Sequence, residues 1–236
     1  MKKLILTTIC TLAVAGAAFA QGTVNWVALS PAAFTIETNA TVYSPLFGGA
    51  STGGGTIGLT ATPALGFYYE LLYLTTPWAG SQAAVPTTLA ALNTWADAGL
   101  EATNATASTG KASGYPNNTQ ATVPWAAGTT DNIVIVGWSA NLGTSYSTVL
   151  NELNNWTGNY ANTIVGPAYF GVSATGFETV GSGNPGATVV NTGNNAQGKP
   201  INSLLTQLDL LPVPEPTTIA LATLGGASLL LFRRRK

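Results

Sequence analysis

The sequence predicts a mainly β fold: one antiparallel, β-sandwich-like domain with one or two short helices, between an N-terminal signal helix and a C-terminal transmembrane helix. Two observations predict the β domain. Turn-forming Gly, Pro and Asn residues recur at short intervals, and runs of β-branched and aromatic residues lie between them. Short, regularly spaced strands of this kind are typical of β-sandwiches. We therefore divide the chain into a signal peptide at 1–20, the domain at 21–211 and a C-terminal signal at 212–236.

The elements of the domain follow from local patterns. Runs rich in Val, Ile, Thr and aromatic residues are predicted to be strands, and they cover 34–43, 66–74, 132–139, 169–173 and 188–191. Apolar residues recur at helical spacing in 87–98 and 145–156, so these segments are predicted to be helices. The segment 203–211 is predicted to be either a further helical turn or a final strand.

The N-terminus has the three parts of a secretory signal peptide. Met1, Lys2 and Lys3 are followed by an apolar run, and Ala18-Phe19-Ala20 forms a small-x-small cleavage site. We expect export through the Sec machinery and cleavage by signal peptidase after Ala20, so that the mature chain begins at Gln21.

The composition of the domain excludes several classes of protein. Segment 21–212 carries two lysines against eight carboxylates, a formal net charge of −6, and this argues against nucleic-acid binding, which requires clustered cations. The chain has no histidine, and its single cysteine, Cys10, lies in the signal peptide. Ser-His-Asp catalysis, thiol nucleophiles and zinc sites built on Cys or His are therefore excluded from the mature protein.

No catalytic, metal or cofactor motif replaces these residues, so we expect a protein that is not an enzyme and has no cofactor. Two of the eight carboxylates could in principle hydrolyse a glycosidic bond. They are Glu37, Glu70, Asp97, Glu101, Asp131, Glu152, Glu178 and Asp209. None of them lies in a recognisable motif, and a carboxylate-dependent glycosidase is the least favoured alternative.

The six tryptophans are the remaining candidates for chemistry. Burial in the core is the simplest interpretation, since Trp contributes a large apolar area, and Trp95 and Trp138 are predicted to be core residues. Trp78 and Trp125 each follow a proline near a turn and are predicted to be exposed. Because aromatic faces stack on sugar rings, these two are the candidate carbohydrate contacts.

The end of the chain combines a stiff segment, an apolar segment and a cluster of cations. Pro212, Pro214 and Pro216 keep the backbone extended. Residues 217–232 carry no charge but are fewer than the roughly 20 that a spanning helix needs. The terminal cations would hold that end in the cytoplasm by the positive-inside rule, and they are Arg233, Arg234, Arg235 and Lys236. This pattern predicts a membrane anchor, either permanent or temporary.

The same residues resemble a known family. Val213-Pro214-Glu215-Pro216, the apolar helix and the Arg-rich end are similar to the PEP-CTERM sorting signal of Gram-negative bacteria. The resemblance covers about the last 25 residues. It implies that an exosortase, a membrane cysteine transpeptidase, recognises Pro214, Glu215 and Pro216 and removes the helix. It also implies an association with exopolysaccharide production.

Three functions follow as hypotheses. The first is a non-enzymatic protein of the cell surface or extracellular matrix, exported across the inner membrane and held there by its C-terminal helix before processing. The second is a carbohydrate-binding module at the same location, with exopolysaccharide as the partner. The third is the carboxylate-dependent glycosidase.

Overall fold

The computed structural model describes residues 21–25, 35–49, 66–103, 121–156, 167–181, 187–191, 193–194, 196–201 and 205–212. Within these residues the chain forms eleven strands and two α-helices. The strands are β1 (Gln21–Asn25), β2 (Thr35–Tyr43), β3 (Phe67–Leu74), β4 (Trp95–Thr103), β5 (Ala121–Ala126), β6 (Thr130–Ser139), β7 (Tyr169–Val172), β8 (Gly176–Thr179), β9 (Ala187–Thr188), β10 (Gly198–Lys199) and β11 (Leu205–Leu210). The helices are α1 (Leu89–Leu92) and α2 (Tyr146–Asn154).

The strands form a large sheet and a small sheet. Strand β6 is the centre of the large sheet: β3 pairs along one of its edges, while β7 and β8 pair with successive parts of the other edge. Beyond these strands, β4 pairs with β3, and β10 pairs with β8. Strand β11 pairs with β7, and β2 lies at the far side of β11. The small sheet has the order β5-β1-β9. The prediction of a mainly β domain is therefore confirmed.

The sheets are mixed rather than purely antiparallel, which corrects the prediction. Strand β1 pairs with β9 in parallel, and β11 pairs with β2 in parallel, while the other strand pairs are antiparallel. Strands joined by a tight turn must be antiparallel, whereas β2 and β11 are far apart in the chain and can pair in either direction. Local patterns contain no information on this choice.

The large sheet is covered on both faces. Its first face packs against the small sheet, and Ile133 and Ile135 of β6 point into this inter-sheet core. Its second face packs against α2 in a helix-side core that contains Val134, Val136 and Trp138. Successive residues of a strand point to opposite faces. The continuous apolar sequence of β6 is explained because both of its faces are buried.

Most of the predicted elements are present. Strands β2, β3 and β7 lie in the predicted runs, and β6 begins two residues before the run 132–139. Helix α2 lies within 145–156, and 203–211 contains a strand, β11. The run 188–191 contributes only Thr188 to β9. Strands β1, β5, β8 and β10 were not predicted from the sequence, because they are short. Strand β4 was not predicted because its first residues were assigned to the helix at 87–98.

The helix predicted at 87–98 is wrong over its second half. Helix α1 covers only Leu89–Leu92, capped by the Thr88 side chain, which accepts a hydrogen bond from the Ala91 N–H. The chain then enters β4, where Ala98, Leu100 and Ala102 are buried at every second position. Leu89, Leu92 and Trp95 do share the helix-side core. The spacing of these three residues fits a continuous helix, but it is equally compatible with one helical turn followed by a strand.

The two predicted terminal helices, at the signal peptide and at 217–232, lie outside the described residues. Among the residues that are described, no helix is long and apolar enough to cross a membrane.

Candidate functional site

An open cleft of about 520 Å³ lies at the end of the large sheet where β3 ends and β6 begins. The end of β3, the segment after it, β5 and the β5–β6 turn all line the cleft. Its aromatic lining consists of Tyr73, Trp78 and Trp125, and its polar lining of Thr75, Thr129, Thr130 and Asp131. The structure therefore brings together Trp78 and Trp125, the two tryptophans that the sequence singled out. We call the cleft that they form with Tyr73 and Asp131 the aromatic cleft.

Trp125 lies in β5 and is only 8% exposed, so the prediction that it is well exposed is wrong. It points into the inter-sheet core together with Val123, because strand residues two apart share a face. Pro124 fits here because β5 is an edge strand, where a missing N–H does not interrupt the sheet. The Trp125 ring packs against Tyr73 with centroids 5.1 Å apart. Its indole N–H is buried without an acceptor among the described residues.

Trp78 is half-buried, and its ring packs on Phe177 with centroids 4.6 Å apart. The segment that carries it is tied to the large sheet. The Ala83 N–H donates to the Asn132 side chain (2.9 Å), and the Thr175 hydroxyl donates to the Ala83 carbonyl (2.7 Å). Gln82 Nε2 donates to the Thr175 carbonyl (2.6 Å). These bonds fix the backbone at residues 82 and 83, and packing on Phe177 restrains the Trp78 ring, which reduces the conformational entropy lost on binding.

Asp131 is the charged member of the cleft lining in the described part of the chain. It lies near the start of β6, opposite Glu178 of β8. Burial raises the pKa of Asp131 to about 6. The carboxyl group is therefore mostly ionised at pH 7 and becomes protonated in mildly acidic solution.

The threonine hydroxyls of the cleft have fixed orientations. Thr129 Oγ1 donates to the Ala126 carbonyl (2.6 Å), and Thr75 Oγ1 donates to the Thr94 carbonyl (2.9 Å). Each hydroxyl oxygen keeps acceptor capacity after donating its proton. Aromatic faces next to oriented hydroxyls and one carboxylate can stack on a sugar ring and hydrogen-bond its hydroxyl groups.

A second group of ionisable residues lies on the helix side of the large sheet. Glu70 is fully buried, and its Oε1 accepts a hydrogen bond from the Leu100 N–H (2.6 Å). Burial first, and then a hydrogen bond to Asp97 and the charge of Asp97, raise the pKa of Glu70 to about 9. Glu70 is thus protonated at neutral pH.

The sequence did not predict that Glu70 and Asp97 interact. A Glu inside the apolar strand Phe67–Leu74 was nevertheless a signal of a buried carboxyl group. The nearby Tyr146 hydroxyl is buried without a partner among the described residues. Burial, then the charges of Asp97 and Glu70, raise the pKa of Tyr146.

The other predicted site residues fall at or beyond the limits of the described chain. Ala18 and Ala20 of the cleavage site lie outside it, and Gln21 is its first residue, exposed at the start of β1. The sorting residues Pro214, Glu215 and Pro216 and the basic end Arg233–Lys236 also lie outside it. Across the part of the chain that the structure covers, no cluster of three or more His, Cys, Asp or Glu residues could hold a metal ion.

The last described residues reach the start of the C-terminal signal. Leu211 is fully buried, and the Pro212 carbonyl accepts a hydrogen bond from Trp156 Nε1 (2.8 Å). Residues 212–236 match the family model described as the PEP-CTERM protein-sorting motif, which confirms the resemblance found in the sequence. No curated protein and no solved structure matches the chain.

Proposed function

We propose that this chain is a non-enzymatic protein of the cell surface or extracellular matrix of a Gram-negative bacterium, delivered there by its PEP-CTERM motif. The match of 212–236 to that motif carries the proposal, because the motif implies export to the cell envelope and processing by exosortase. The signal-peptide pattern at 1–20 supports the same route from the opposite end of the chain.

Intact-mass spectrometry of protein extracted from the cell envelope tests the proposal. We expect a chain that begins at Gln21 and ends near Pro214–Pro216, without the four terminal cations. Replacing Pro214 and Pro216 by Ala should leave the C-terminus uncut, whereas the neighbouring Thr218→Ser should be processed normally. A mature protein that still carries Arg233–Lys236 would show a permanent anchor and contradict sorting by exosortase.

Carbohydrate binding by the aromatic cleft is the second candidate function. The observation that favours it is the convergence of Trp78, Trp125 and Tyr73 on one cleft that also carries threonine hydroxyls. The cleft volume of about 520 Å³ falls within the range of small-ligand sites, roughly 300–1,000 Å³. The association with exopolysaccharide that the PEP-CTERM resemblance implies would supply such a cleft with a ligand.

Binding of the full-length chain, kept in mild detergent, to a panel of soluble polysaccharides tests this function. Trp78→Ala should reduce affinity about five- to tenfold, since it removes a stacking face worth on the order of 1–1.5 kcal/mol. Trp156→Phe is the matched control, because Trp156 packs in the helix-side core away from the cleft. Equal binding by wild type and a folded Trp78→Ala variant would refute the site.

The same panel tests the absence of enzymatic activity. We expect no release of reducing ends from any polysaccharide. Turnover that is lost in Asp131→Asn or in Asp97→Asn would establish a carboxylate-dependent hydrolase instead.

A further inference from the structure

We propose that the aromatic cleft selects glycans with free amino groups, such as non-acetylated hexosamine polymers, over neutral and acidic glycans, and that Asp131 contacts the ammonium group. This inference rests on the proposal that the cleft binds carbohydrate, and it adds the chemical class of the ligand.

The charge at the cleft favours a cation. Asp131 is the charged side chain among the described residues that line the cleft. The nearest lysine along the sheet, Lys199 of β10, donates its Nζ proton to Gln82 Oε1 (2.8 Å) and belongs to the bonds that hold the Trp78 segment. A uronic-acid glycan would be repelled by this arrangement, whereas an ammonium group would be attracted.

The aromatic rings favour the same ligand. Tyr73 and Trp78, both half-buried, line the cleft with Asp131, and the faces of such rings attract cations through their quadrupoles. Partial burial of Asp131 and Trp78 excludes part of the water that would otherwise screen the charges. A neutral sugar obtains only stacking and hydrogen bonds, while an amino sugar obtains these together with a carboxylate partner and a cation–π contact.

The inference has a pH signature. Protonation of Asp131 removes its charge, so affinity for an amino glycan should fall as the pH decreases through about 6. At higher pH the amine loses its own proton, which also lowers affinity. The titratable groups that face Asp131 are Tyr73 from β3 and Glu178 from β8. Comparison with Asp131→Asn separates the contribution of Asp131 from theirs.

The test is the affinity of the full-length chain for three oligosaccharides of equal length: glucosamine, N-acetylglucosamine and a uronic acid. At pH 7 we expect the glucosamine oligomer to bind about tenfold more tightly than its acetylated form, equivalent to about 1.4 kcal/mol, and the uronic acid to bind least. Asp131→Asn should lower glucosamine binding to the level of the acetylated oligomer and leave the acetylated oligomer unaffected. Glu101→Gln, an exposed acid of β4 that does not line the cleft, should change neither.

Each other outcome has a distinct meaning. Equal affinity for the acetylated and non-acetylated oligomers would overturn the selectivity while carbohydrate binding stands. Equal losses in Asp131→Asn and Glu101→Gln would indicate general attraction to an acidic protein and overturn the role of Asp131. Absence of binding to all three oligomers, and to the polysaccharide panel, would overturn carbohydrate binding itself.

Discussion

At the scale of single residues, the protonation state of a buried carboxyl group such as Glu70 depends on its surroundings in the fold rather than on its neighbours in the chain. Removing the side chain from water disfavours its charged form, and Asp97 disfavours it further. The native state therefore binds a proton that the unfolded chain releases at mildly acidic pH. This difference makes the stability of the domain depend on pH.

The free energy of unfolding should fall as the pH rises from about 4.5 to about 9, by up to about 1.4 kcal/mol per pH unit. The contribution of Glu70 is fully present below its unfolded pKa and is lost as the pH rises through the folded pKa. Glu70→Gln should remove most of this slope, because Gln keeps the acceptor for Leu100 and can donate to Asp97 without titrating. Urea unfolding between pH 5 and pH 9 measures the effect.

The control for this measurement is Glu152→Gln on α2, which leaves the Glu70–Asp97 pair intact and should retain the wild-type slope. Asp97→Asn should lower the pKa of Glu70, because it removes one of the causes of the raised value. A wild-type protein whose stability is constant across this range would contradict a buried, protonated Glu70.

Residue patterns in the sequence predicted part of the candidate site but not all of it. The Pro–Trp sequences correctly drew attention to Trp78 and Trp125, but the exposure predicted for Trp125 is wrong because the strand period places its ring inward. Tyr73 and Asp131 carried no signal of their own. They become part of a site only because antiparallel pairing of β3 and β6 brings the end of one strand to the start of the other.

At the scale of elements, β6 illustrates why a central strand tolerates few changes. Gly137 lies where a Cβ atom would come within 2.9 Å of both the Tyr69 ring and Leu208. Gly137 therefore allows these two side chains to meet over the strand. Dense packing on both faces of β6 leaves no direction in which they could move at low cost.

Gly137→Ala should lower the free energy of unfolding by about 1–3 kcal/mol, the usual cost of overpacking a core. Gly193→Ala is the matched control, since no atom lies within 4 Å of the added methyl group. It should change stability by less than about 0.5 kcal/mol. Urea unfolding of the two variants distinguishes them, and similar stabilities would contradict the close packing around β6.

The helix-to-strand change at α1 and β4 shows the limit of periodicity in elements. Over a few residues, one helical turn followed by a strand produces the same apolar spacing as a longer helix. Pairing with β3 decides the outcome, because β4 forms backbone hydrogen bonds along that strand. By contrast, α2 was predicted correctly, since its apolar face recurs over its whole length and Ser145 caps its start.

At the scale of the whole molecule, the large sheet is completed by strands from opposite ends of the domain. The parallel pair of β2 and β11 joins an early strand to the last strand, and the chain then contributes Leu211 to the helix-side core. The matched sorting motif begins at Pro212, the residue that follows Leu211. Removal of the motif after Pro214–Pro216 would leave these contacts in place.

A chain of residues 21–212 should accordingly fold with nearly the same stability as one that extends to Lys236. A chain that ends at Leu210 should lose about 2–5 kcal/mol, because it lacks the buried Leu211 side chain and the Pro212 acceptor for Trp156. Thermal unfolding of the two truncated chains measures the difference. Equal stability would show that the domain ends before Leu211.

The sequence by itself determined the β class of the domain and the sorting motif at its end. Both are local properties: strand and turn propensities act over a few residues, and the motif is a continuous segment. The tertiary structure alone decided which strands pair in parallel, that Trp78, Trp125, Tyr73 and Asp131 share a cleft, and that Glu70 keeps its proton. These depend on contacts between distant segments and on exclusion of water, which no local pattern specifies.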